Sequence, residues 1–108
     1  MTAILDLPAT EALNALNRAQ SYYAHLRSLL DLEDRHHIDL CDLMEDYGGE
    51  YGDAGYEDLR QQVADQAIIC EGIEERKAEA YEAMSEAYRD YYVAMGWKTV
   101  DGIMVAPR

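Results

Sequence analysis

Apolar residues recur at alternating steps of four and three from Ala12 to Tyr47. Ala12, Leu16, Ala19, Tyr23, Leu26, Leu30, Leu40 and Met44 share one stripe with Glu33, His37 and Tyr47. An α-helix turns once every 3.6 residues, so this spacing, sustained over five heptads, keeps all of these side chains on one face. A strand would scatter them to both sides. A flanking row, Ala15, Tyr22, Leu29, His36 and Leu43, widens the stripe into that of a bundle helix. Pro8, followed by Thr10 and Glu11, has the chemistry of a first turn, which predicts helix from about Ala9 to Tyr47.

Residues 48–55, G-G-E-Y-G-D-A-G, carry four of the seven glycines and no apolar period, so the chain reverses there. A second helix is expected from about Tyr56 to Met95, with Leu59, Val63, Ala67, Cys70, Ile73, Ala80, Tyr81, Met84, Tyr88, Tyr91 and Met95 along one broad side. Gly96 is placed to end it. Unbroken, each helix would be roughly 57–60 Å long at 1.5 Å rise per residue. In residues 97–107, Asp101-Gly102 lies between two short β-prone runs, the pattern of a two-residue hairpin. A lone hairpin is barely stable in water, so Trp97, Val100, Ile103 and Val105 are expected to pack on the helices or on a partner.

The fold class is therefore mainly all-α: a long antiparallel helical hairpin or a small helical bundle, in a single domain, with a short C-terminal β-hairpin. Two helices paired with each other cover only one side of each, and both stripes are wide. Either two chains associate as a homodimeric four-helix bundle, or the first helix breaks near residues 34–37 and folds back as a three-helix bundle.

Twenty-two Asp and Glu stand against nine Lys and Arg, a formal charge of −13. That balance excludes a direct nucleic-acid binder, which must lay a cationic face on phosphates, and docking on an anionic membrane. Hydrophobic residues make up 49% of the chain, enough for a core in spite of the charge. Two cysteines are too few for a disulfide framework, and no basic segment leads into an apolar run at the start. A cytoplasmic protein is the expectation.

The acidity is concentrated in residues 31–58. Residues 1–30 are neutral and residues 59–108 carry −3, whereas 31–58 hold eleven acids with Arg35 as their one base. Such runs ordinarily solvate a helix face. Here the self-repulsion of a net −10 in 28 residues is a cost that interspersed lysines would remove, and a cationic partner relieves it. Asp31, Asp34, Asp39, Asp42, Glu45, Asp46, Glu50, Asp53, Glu57 and Asp58 are the candidate partner-binding carboxylates, with Tyr47, Tyr51 and Tyr56 as amphipathic anchors among them. The nine Tyr, with no Phe, suit aromatic surfaces with one wet end.

Other chemistry is weaker. Glu33-x-x-His36 has the spacing of a carboxylate-bridged di-metal helix, and Glu33, His36 and His37 are expected to point inward opposite Gln66 and Cys70. A di-metal bundle needs a second such motif, and the chain has one, so the competing reading is a polar layer in which Glu33 accepts from His37. His37 and Cys41 have one-turn zinc spacing but no matching pair on the second helix. The calcium-loop frame from Asp46 to Glu57 has Tyr51 where glycine is required. Glu71, Glu74, Glu75, Glu79, Glu82 and Glu86 fail the paired acidic motif of helical nucleotide pyrophosphatases, because Arg89 follows Glu86 by three. No activated nucleophile and no phosphate-cradling loop is present in the sequence.

In size, charge and helical content the chain resembles the small acidic, nucleic-acid-mimicking inhibitors with which phages and mobile elements block restriction, CRISPR and repair enzymes. The likeness is one of composition and transfers no residue roles. The expectation is a non-enzymatic, cofactor-free binding module that occupies a basic protein surface. A metal-binding bundle built on Glu33, His36 and His37, and a structural or assembly subunit, are the alternatives.

Overall fold

The computed structural model describes residues 2–49 and 52–107, with side chains from Pro8 onward. Two helices, α1 (Thr2–Glu45) and α2 (Ala54–Ala94), are followed by strands β1 (Lys98–Val100) and β2 (Ile103–Val105). The fold is thus a helical hairpin ending in a two-stranded antiparallel β-hairpin. Two compact units make up the chain: His25–Lys77, and Met1–Ala24 with Ala78–Arg108.

In the unit His25–Lys77, the buried and half-buried residues of α1 are Leu26, Leu29, Leu30, Glu33, His37, Leu40, Cys41 and Met44. All but Leu29 and Cys41 belong to the stripe read from sequence. They meet a strict three-four ladder on α2: Tyr56, Leu59, Val63, Gln66, Cys70, Ile73 and Lys77. Glu33 lies level with Gln66, whose Nε2 donates to the Glu33 backbone carbonyl at 3.0 Å and to Glu33 Oε2 at 2.5 Å.

In the other unit, Ala12, Leu16, Ala19 and Tyr23 of α1 face a continuation of the ladder, Ala80, Met84, Ala87, Tyr91 and Ala94. Tyr23 and Tyr81 rings sit 5.8 Å apart, and Gln20 Nε2 donates to the Tyr88 hydroxyl. Helix α2 ends in a Schellman motif. Gly96, at φ 97°, donates to the Val93 carbonyl, Trp97 N–H reaches back to Tyr92 O, and the Trp97 ring covers Tyr92 at 4.9 Å. Asp101 and Gly102, both at positive φ, make the two-residue turn that joins β1 to β2.

Four details differ from the sequence reading. Helix α1 begins at Thr2, so Pro8 lies inside it and not at its first turn. Proline there removes the N–H that Ile4 O would accept and crowds that carbonyl with its ring, a cost of about 3 kcal/mol, although its fixed φ is helical. Helix α1 runs unbroken through residues 34–37, which removes the three-helix alternative: no Pro or Gly stands there, and Gln66 satisfies the polar level without a break. On α2 the seam takes Gln66, Ala87 and Ala94 instead of Ala67, Tyr88 and Met95, each one position earlier, and it gains Lys77, while Tyr81 stays 55% exposed at its edge. Finally, Val100, Ile103 and Val105 stay 52%, 67% and 42% exposed in the single chain while the Trp97 ring packs on Tyr92 of α2, so of the two expected surfaces the helices do not cover the strands.

Candidate functional site

The acidic segment lies wholly in the unit His25–Lys77, where it spans the last turns of α1, the connection and the first turns of α2. Its frame is a clasp between the two helix ends. Asp53 is the N-cap of α2: its Oδ1 accepts from Tyr56 N–H at 2.8 Å, and its carbonyl accepts the first helical bond, from Glu57 N–H, at 3.0 Å. Tyr47, just past the end of α1, donates its hydroxyl to the same Asp53 oxygen at 2.9 Å and lays its ring 6.1 Å from that of Tyr56. The hydrogen bond to the carboxylate, with burial and the Asp53 charge adding to it, pushes the Tyr47 phenol above its usual value of 10.0. Gly49 and Gly55 flank this phenol so closely that a methyl on either would collide with it. The glycines of the connection therefore serve close approach as well as chain reversal.

Along the last four turns of α1 and the first turn of α2, Asp31, Asp34, Asp39, Asp42, Glu45, Asp46, Glu57 and Asp58 are exposed. Asp39 and Asp42 of α1 and Asp46, whose N–H still donates to Asp42 O just past the helix end, follow one another by three and four residues, so they form a row with steps of about 4.5 and 6 Å. Among the described residues the one ion pair is Arg60 with Glu57 at 3.4 Å, itself exposed. The structure thus divides the residues singled out by sequence. Eight carboxylates present their charge to water, whereas Tyr47, Asp53 and Tyr56 are half-buried in the clasp. Glu50 and Tyr51 lie outside the described residues.

The Glu33 level is a polar layer of a different composition from the expected one. His36 is exposed, so it does not point inward, and Glu33 accepts from Gln66 where His37 was expected. His37 Nε2 instead lies 3.9 Å from Cys41 Sγ. Among the described residues no three His, Cys, Asp or Glu side chains converge as a ligand set. Both cysteines are free thiols. Burial pushes the Cys70 thiol above its usual value of 9.0, and the neighbouring Asp34 carboxylate adds to the shift by hydrogen bonding and charge.

Two residues singled out by sequence take roles that the spacing did not foresee. Asp53 has the signal of an N-cap, an Asp at the mouth of a helix, but a helix expected to start at Tyr56 hides it. Gln66 is expected from sequence opposite the Glu33 level, and the structure adds that it is the donor from which Glu33 accepts. Among the described residues no helix is long and apolar enough to cross a membrane. Compared with family models, curated proteins and solved structures, the chain has no significant match, so the site is read from its own chemistry.

Proposed function

We propose that this protein is a non-enzymatic binding module whose acidic turn occupies a basic surface of a protein partner, as a nucleic-acid-mimicking inhibitor. The observation that carries this reading is the eight solvent-facing carboxylates along the last four turns of α1 and the first turn of α2, within a segment that has one base. Their steps along α1 are of the same order as the roughly 3.4 Å between charges along one strand of a duplex. A surface of this kind competes for a groove lined by Arg and Lys. The clasp holds the carboxylates in place, so little ordering is left for the moment of binding.

The test is competition. A panel of proteins with basic nucleic-acid grooves is loaded with labelled duplex DNA, and displacement by the full chain is followed by anisotropy. Displacement is expected for at least one member, with an association rate that falls by about tenfold or more from low to high salt. Reversal of Asp39, Asp42, Glu45 and Asp46 to Lys abolishes it. Equal displacement by the reversed chain, or a rate indifferent to salt, refutes the proposal.

A further inference from the structure

Beside the seam of the unit His25–Lys77 runs an open groove of about 350 Å³, lined by Leu29, Gly72 and Ile73 with Ile68 and Ile69, and by Glu33 and Arg76. Its apolar rim faces water, with Ile68 at 66% and Ile69 at 47% exposure. We propose that this groove seats a second copy of the chain, packed antiparallel about a two-fold axis through its midpoint.

Three observations favour the second copy over any other occupant. The first is area. The chain exposes 8158 Å², whereas a folded monomer of its mass exposes about 6,100 Å². The surplus, about 2,000 Å², is of the size that one subunit of an obligate dimer buries. No described side chain is fully buried, so the core is incomplete in one copy.

The second is charge. The Glu33–Gln66 contact sets the level of α1 against α2, which puts Leu29 level with about residue 70 and Glu33 level with Gln66. Arg76 and Glu33 therefore stand at opposite ends of the groove, about equally far from its midpoint. A two-fold axis there brings Arg76 of each copy to the level of Glu33 of the other. The third is shape. The same operation sets Ile68 and Ile69 of one copy over Gly72 of the other, where nothing lies within 4 Å of a Cβ position and bare backbone admits a branched side chain. Antiparallel packing also sends the two acidic turns in opposite directions, which limits their repulsion.

The inference is independent of what the acidic turn binds. Light scattering on the full chain, from about 1 to 200 µM, is expected to give twice the 12.3 kDa chain mass. Gly72→Arg should give the single mass at unchanged helix content, since its side chain fits one copy but fills the groove. Ile68→Glu, at a side chain already largely exposed, should do the same without altering the backbone. Arg76→Glu should weaken the dimer by about tenfold or more. A single mass for the native chain throughout the range overturns the proposal. So does a doubled mass that persists in Gly72→Arg or Ile68→Glu, or an unchanged dissociation constant for Arg76→Glu.

Discussion

Leucine at Glu33 and Gln66, singly and together, tests the polar level that aligns the two helices. Gln66 is 4% exposed, so leucine there buries its whole side chain, worth about 2 kcal/mol. The loss is a hydrogen bond to a carboxylate, about 1.5–3 kcal/mol, taken at its lower end because Glu33 is half-exposed and water replaces part of it. A second bond, to the Glu33 carbonyl, goes with it, but that carbonyl keeps its own helical donor. Gln66→Leu should therefore lie within about 1 kcal/mol of the native chain. Glu33→Leu gains about 1 kcal/mol of half-burial and leaves the buried amide only a backbone carbonyl, a cost of similar size. The double variant keeps both gains and forfeits the bond once, so it should exceed the native chain by about 1–2 kcal/mol, with a coupling energy of that order. Urea unfolding followed by far-UV circular dichroism measures it, at one chain concentration because association contributes its own stability. Additivity within about 0.5 kcal/mol would show that the amide and the carboxylate are not partners.

Asp53→Ala removes the α2 cap and should cost about 1 kcal/mol in the same assay, with Asp53→Asn recovering most of it. Gly55→Ala should lower the melting temperature in the native chain, where the methyl meets the Tyr47 hydroxyl, and raise it in a Tyr47→Ala background, where helix propensity alone acts. In a spectrophotometric titration one tyrosine should ionise late and vanish from the late component in Tyr47→Phe. Because the folded phenol holds its proton more tightly, this group stabilises the fold below pH 10 and its contribution disappears as pH rises through the folded value. Cys70 should alkylate more slowly in the folded chain than in urea, and Asp34→Ser should speed the folded reaction.

The α1 seam was legible because its apolar residues occupy one row with few rivals. The α2 seam was not, because apolar residues such as Tyr81, Tyr88 and Met95 lie beside it while Gln66 and Lys77 lie in it. Polarity hides a seam position unless its hydrogen-bond partner is known. The candidate site shows the same divide. The excess of acid in residues 31–58 is countable, but that Asp53 turns inward as cap and clasp follows only from α2 starting at Ala54.

By itself the sequence determined two helices, the reversal between them, the Gly96 stop, the Asp101-Gly102 turn and where the charge lies. All of these arise from spacing and sterics within a few residues. The tertiary structure decided which row of α2 faces α1, which carboxylates meet water and which apolar side chains stay uncovered. Those outcomes depend on pairs such as Glu33 and Gln66, 33 positions apart, whose energy exists only once the helices have met.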